Sequence, residues 1–407
     1  MFTSTSFPPM HNGLQLHVCP DKSFPIVSTA LILDIGSKDE MPEQQGWAHL
    51  CEHLLFTGTK QVPDFDDALS KYGGTSNAWT SCDATVFLCS GPKNILERIL
   101  FLESERLQNM SHSLQKSAFK SELNVVISEY NEQVRDVPFG EFIESQETLF
   151  YGADHPYGHS VIGTPKILRR SKYKDIQNFL QIYKNLDNAH LIVVGDVIEE
   201  QVWEWTQNYF APFPESQQKR NTIVPNITQN SNLYIEKGQQ IQSLLRLDWM
   251  LPQNTSQQCR MFEAIADWLD SEQGPLYQDL AFSKGWSNEI ICEIDKKRYS
   301  HSFSISVYFS SEQSYENIKE VVLDNLRKLH HIPLRKCEKQ IQRNILNQFE
   351  NFDSRCEYLA TGIEIGISIE TILHDIIHIE LLEDVFENCI TYLNQTIPMT
   401  MIGQGRL

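Results

Sequence analysis

Residues 43–56 read EQQGWAHLCEHLLF, and the way this stretch divides between two faces of a helix decides the rest of the reading. Pro42 precedes it, suited to a first helical turn, and Gly58 follows it as a stop. Trp47, Leu50, Cys51, Leu54 and Leu55 fall at i, i+3, i+4, i+7 and i+8, one apolar stripe that turns toward a core. His49, Glu52, His53 and Phe56 fall on the opposite side. Two imidazoles one turn apart thus project together with a carboxylate. Cys51 lies within the stripe and reads as buried filling, not as a ligand.

Two imidazoles at i and i+4 can share one tetrahedral zinc, each at about 2.0–2.1 Å. A catalytic zinc needs one more protein ligand, usually a carboxylate, and keeps a place for water, whose pKa it lowers to about 7. Glu52, next to His53, is placed to take the proton of that water and hand it to a leaving amine. A histidine pair on a helix is commonly plain surface. The separation of this pair from the apolar stripe weighs against that, and a credible third ligand would weigh more.

That ligand is sought in residues 115–134, QKSAFKSELNVVISEYNEQV. Phe119, Leu123, Val126, Ile127, Tyr130 and Val134 make a core stripe, and Glu122 and Glu129 stand seven apart at its border, on one face. Carboxylates beside apolar packing are costly unless paired or metal-bound. On the residues alone either glutamate could be the ligand, with the other hydrogen-bonding a ligand histidine to fix its tautomer. A solvated acidic face remains the bland alternative.

The chain has 407 residues, too many for one compact core, so two or three domains are expected. With 41% hydrophobic and 21% charged residues the composition is globular. A formal net charge of −19 repels nucleic-acid phosphates and anionic lipid heads, so neither nucleic acid nor membrane is expected as a partner. Nine cysteines, spread from Cys19 to Cys389 without CxxC pairs, argue against a disulfide framework and against a thiolate zinc site. Met1–Pro20 shows no basic segment followed by an apolar one, and no apolar run approaches a membrane span. The expectation is a cytoplasmic protein.

Apolar strands are read at Ile26–Ile35, Thr85–Cys89 and Ala189–Gly195, with helices near 43–56, 65–73, 93–109, 115–135 and 172–184. From Pro212 to Asn230 the chain turns polar and proline-bearing. Strands at Leu244–Trp249 and Phe303–Phe309, with helices near 256–270, 313–330 and 333–350, then restart the same order. The expected organisation is a metal-bearing domain over 1–215, a linker over 216–232 and a second, similar domain over 233–407.

Three stretches, GWAHLCEHLLFTGT, GGTSNAWTS and SELNVVISEYNEQ, resemble the pitrilysin and insulin-degrading family of zinc metallopeptidases, whose inverted signature is His-x-x-Glu-His. HPYGHSVIGTPKIL and NLDNAHLIVVGDV are similar to later parts of that family's first domain. The spacing of 76 residues from His53 to Glu129 fits the family pattern. The resemblance therefore implies His49, His53 and Glu129 as ligands of one zinc, Glu52 as the water-activating base, and Glu122 as support for a ligand histidine. It also implies an α+β fold of two similar domains, each a mixed, mostly antiparallel sheet with helices packed on one face. Family members pair the substrate backbone with an edge strand beside the metal, and here the matching residues are Asn77, Ala78, Trp79 and Thr80.

GPLYQDLAFSKGWSN is similar to a segment that, in active C-terminal partners of the family, carries an Arg and a Tyr gripping the substrate carbonyl. This chain has Ala281 and Asn288 at the matching positions. The resemblance thus implies a zinc-dependent endopeptidase subunit for short or unfolded peptides, completed by a homologous partner subunit that supplies the Arg and Tyr. Arg260, Lys296, Arg298 or Tyr299 could stand in for the missing pair. The alternatives are a non-catalytic peptide-binding or assembly subunit, which the intact set of four site residues weighs against, and a structural zinc site, against which the carboxylate beside the histidines and the lack of a fourth ligand both speak.

Overall fold

Ile26–Leu33 (IVSTALIL) is rich in β-branched and aliphatic residues, fits a pleated strand buried on both faces, and forms the centre of the first sheet. A computed structural model describes residues 3–215, 232–237, 241–252 and 256–405. The first half of the chain supplies β1 (Thr5–Ser6), β2 (Gln15–Pro20), β3 (Ile26–Leu33), β4 (Thr75–Thr80), β5 (Thr85–Pro92) and β6 (His190–Gly195). They lie in the order β1-β2-β6-β3-β5-β4, with β2 and β6 parallel and all other pairs antiparallel. The second half supplies β7 (Leu233–Lys237), β8 (Gln242–Leu251), β9 (Ser287–Lys296), β10 (His301–Ser310) and β11 (Met399–Gln404), in the order β7-β11-β8-β10-β9. Here β7 and β11 pair in parallel and all other pairs are antiparallel. Strand for strand, the second sheet repeats β2 to β6, and the fold is α+β with two similar domains.

In the first sheet Val27, Leu31 and Leu33 point into a core built with the helices Trp47–Leu54, Leu96–Ser113 and Lys116–Tyr130. The alternate residues Ser28, Ala30 and Ile32 are also buried. The helix Phe352–Glu364 packs against β3, β5 and β6, and Ser28 hydrogen-bonds Asp353 on it. In the second sheet Leu244, Met250, Met399 and Met401 form a cluster with Phe139, Phe142 and Phe150.

Compactness therefore does not divide the chain at the linker alone. One unit takes in the chain to Glu132, the stretch from His159 to the expected linker, and Leu346–Ile377. The other takes in Gln133–Gly158, the chain beyond that linker to Ile345, and the stretch from His378 on. Each sheet needs an apolar cover on a second face, and a helix from the opposite half of the chain supplies it. The expected linker, residues 216–232, lies outside the described residues except for Asn232.

One helix start differs from expectation. Residues 43–56 were to form one helix, but Pro42–Gln44 is a separate 3-10 turn and the α-helix begins at Trp47. Gly46, at φ 89°, takes the left-handed conformation between them, which only glycine adopts cheaply. Among the described residues no helix is long and apolar enough to cross a membrane.

Candidate metal centre

The helix Trp47–Leu54 buries Trp47, Leu50, Cys51 and Leu54 in the core, which leaves His49 and His53 together on its other side. Their rings meet edge to face with centroids 4.8 Å apart. Glu129 comes from Lys116–Tyr130, whose Phe119, Val126 and Ile127 anchor it to the same core. Its Oε2 lies 3.7 Å from His49 Nε2 and 3.5 Å from His53 Nε2. One ligand atom from each of these three residues lies within 4.8 Å of the others.

Both nitrogen–oxygen distances exceed the range of a good hydrogen bond. Ligands at about 2.0–2.1 Å around a tetrahedral ion are about 3.4 Å from one another, so the spacing suits a shared zinc better than a direct bond. His49 Nδ1 is buried and has no hydrogen-bond partner among the described residues. Burial, aided by the nearby His53, pushes the His49 pKa down to about 4, which keeps the ring neutral and able to ligate near pH 7. The donor set of two imidazoles and one carboxylate fits zinc.

Glu122 faces the outer nitrogen of His53, with Oε2 3.6 Å from Nδ1, longer than the hydrogen bond expected of it. Glu52 is 8% exposed, and its Oε2 accepts a hydrogen bond from Thr80 Oγ1 at 2.6 Å. Burial raises the Glu52 pKa, and the Thr80 bond works against that rise.

Thr80 ends β4, which lies at the edge of its sheet and, among the described residues, pairs only with β5, Asn77 opposite Leu88 and Thr80 opposite Thr85. Ala78 packs against the core, and its N–H donates to Asn77 Oδ1 at 2.9 Å. Trp79 turns the other way, and its Nε1 donates to Glu364 Oε2 at 3.1 Å. Ala281 lies in the π-turn Gln278–Ser283, and Asn288 lies on β9, where it accepts from Gln242 Nε2 at 3.2 Å. Arg260, Lys296, Arg298 and Tyr299 all belong to the second unit, where Lys296 is paired with Glu263. The helix Ser256–Asp270 stands between β8 and β9 as Trp47–Leu54 stands between β3 and β4, yet it contains no histidine.

The sequence reading missed two features. The first is the Thr80 side chain, singled out there only for its strand. The second is Glu40, whose carboxylate accepts from the N–H groups of Gly46 at 2.9 Å and Ala48 at 2.6 Å. The spacing of six and eight residues across a turn matches no capping signature, so no local signal could have found it.

A repeated mixed sheet with an inverted histidine–glutamate helix on its first copy defines a metallopeptidase-type fold. A family profile described as Insulinase (Peptidase family M16) matches residues 18–141, and one described as Peptidase M16 inactive domain matches residues 171–344. The chain belongs to the insulinase family, peptidase family M16, whose proteases use zinc. Among its relatives is the zinc protease PqqE of Helicobacter pylori, 30% identical over 204 residues, 49% of this chain and 45% of that protein. Another is an insulin-degrading enzyme homolog of Dictyostelium discoideum, 25% identical over 318 residues, 77% of this chain and 31% of that protein. A third is the mitochondrial-processing peptidase subunit beta of Neurospora crassa, 26% identical over 184 residues, 45% of this chain and 38% of that protein. The matches span less than half the length of each of these three relatives. The crystal structure of a protease from Helicobacter pylori superposes with a TM-score of 0.86 at 21% identity, covering 99% of both chains. That of pitrilysin gives 0.76 at 18% identity, covering 99% of this chain and 45% of pitrilysin. At these identities the structures speak for the fold alone.

Proposed function

We propose that the chain is a zinc-dependent endopeptidase subunit acting on short or unfolded peptides. The observation that supports it is the meeting of His49, His53 and Glu129 donor atoms within 4.8 Å, on helices whose other faces are locked in one core. A zinc ion held there would polarise a scissile carbonyl and acidify a water. Glu52 would accept a proton from that water as its oxygen bonds to the carbonyl carbon. It would then give the proton to the departing amine as the carbon–nitrogen bond breaks. Thr80 holds the Glu52 carboxylate in place through its hydroxyl. Asn77, Ala78, Trp79 and Thr80, on an edge strand, would pair the substrate backbone, and Glu122 would orient His53.

Ala281 and Asn288 lack the groups that grip a substrate carbonyl in active partners, which supports completion by a homologous subunit. The name of one relative agrees, being that of a processing-peptidase subunit. A second reading, a non-catalytic peptide-binding or assembly subunit, is favoured by the match of residues 171–344 to a domain described as inactive.

Glu52→Gln tests the choice. With the partner present, this variant should keep its zinc and lose turnover by about 10²–10⁴-fold. Cleavage by the variant at the parent rate would refute the role of Glu52. Full activity from the isolated parent chain would refute the partner.

A further inference from the structure

We infer that Glu40 and His159 are positioning residues that set the rotation of the helix carrying His49, Glu52 and His53. This inference rests on the proposed function. Two proposed ligands and the proposed base share one helix of eight residues, while Glu129 stands on another. A small turn of the shorter helix would displace three groups at once against the fourth, and misplacement of about 1 Å can cost roughly 10²-fold in rate.

The start of that helix is held by buried side chains. The Glu40 side chain has no exposure, and a carboxylate so placed is stable only when its lone pairs are taken up. Oε2 accepts from Gly46 N–H at 2.9 Å and lies 3.1 Å from His159 Nε2, and Oε1 accepts from Ala48 N–H at 2.6 Å. Tyr183, wholly buried, donates its hydroxyl to the Ala48 carbonyl at 3.1 Å. Both polar backbone groups of the residue before His49 are therefore tied to side chains from elsewhere in the chain.

His159 is delivered by a loop fitted against the same turn. A Cβ on Gly46 would come 2.6 Å from the Ile162 carbonyl oxygen, and one on Gly163 would come 2.4 Å from that of Gln45. Both glycines have positive φ, 89° and 68°. The two backbones approach as closely as glycine permits. Just beyond, Trp47 Nε1 donates to Ser171 Oγ at 2.7 Å. The segment HSVIGTPKIL thus closes over the helix start, with His159 as its polar contact to Glu40. Neither Glu40 nor His159 reaches the proposed ligands, so both act through the backbone of residues 46–48.

The test compares His159→Leu, which removes the donor, with His159→Gln, whose amide can restore it, and with Glu40→Gln, in case the leucine variant does not fold. Three quantities are read: zinc affinity by chelator competition, the visible spectrum of the cobalt-substituted protein, and amide exchange in the metal-free protein. His159→Leu should weaken zinc binding on the order of tenfold or more and alter the cobalt spectrum. It should speed exchange across Trp47–Leu54 far more than across β3 and β6, and it should lower the unfolding midpoint because the buried Glu40 carboxylate loses a donor. His159→Gln should recover most of each effect, and Glu40→Gln should resemble His159→Leu. Parent-like affinity, spectrum and exchange in His159→Leu or Glu40→Gln would overturn the inference, as would exchange that rises equally throughout the sheet. A parent chain that binds no zinc would instead sink the proposed function, and exchange of the metal-free helix would still decide this inference.

Discussion

Thr80 donates to a glutamate 28 positions earlier in the chain, and that bond of 2.6 Å sets the direction of a buried acid. A hydrogen bond to a charged group contributes about 1.5–3 kcal/mol, equivalent to roughly tenfold or more in a rate. Thr80→Val should therefore lower kcat at least about tenfold while zinc content and the unfolding midpoint stay near the parent, and Thr80→Ser should recover most of the loss. An unchanged kcat in Thr80→Val would show that Glu52 does not depend on the hydroxyl. His49, Glu52 and His53 were legible because helical periodicity separates them from the apolar stripe of their own segment. Glu122 and Glu129 were not distinguishable that way, since seven residues are two turns and put both on one face. Thr80 and Glu40 act through contacts between segments, which no local pattern carries.

At the scale of elements, the helix Trp47–Leu54 begins where Gly46 takes a φ of 89°. An alanine there would meet the left-handed cost of about 1–2 kcal/mol, and its Cβ would lie 2.6 Å from the Ile162 carbonyl oxygen. Gly46→Ala should destabilise the first unit by at least about 2 kcal/mol in denaturant unfolding, and a parent-like midpoint would contradict this account of the turn. The strands β3, β5 and β6 were legible from their β-branched and aromatic content. β2 (QLHVCP) was passed over, because Gln15, His17 and Pro20 break its apolar run. It is a strand by pairing in parallel with β6, a partner some 175 residues away that propensity cannot reveal. β4 (TSNAWT), weakly apolar, was legible only through its resemblance to a family strand.

Across the whole molecule, the restart of the strand and helix order after the polar stretch was legible, and the exchange of helices between halves was not. Hydrophobic periodicity says that a helix has an apolar face without saying which sheet the face covers. Phe352, Leu359 and Ile363 are buried in the helix that packs on the first sheet, although they lie in the second half of the chain. Each such side chain contributes about 1.5–3 kcal/mol, so the three together approach the 5–15 kcal/mol of a typical domain. Residues 1–215 expressed alone should lack a cooperative unfolding transition and should aggregate through the face bearing Ala30 and Ile32. A monomeric, cooperatively unfolding fragment would contradict the division into interleaved units.

The coordination claim itself is open to one direct reading, X-ray absorption at the zinc edge on the purified parent chain. The expected result is one zinc per chain, a first shell of nitrogen and oxygen scatterers at about 2.0–2.1 Å, and the outer-ring signal of two imidazoles. A chain that takes up no zinc, or a shell containing sulfur at about 2.3 Å, would contradict it.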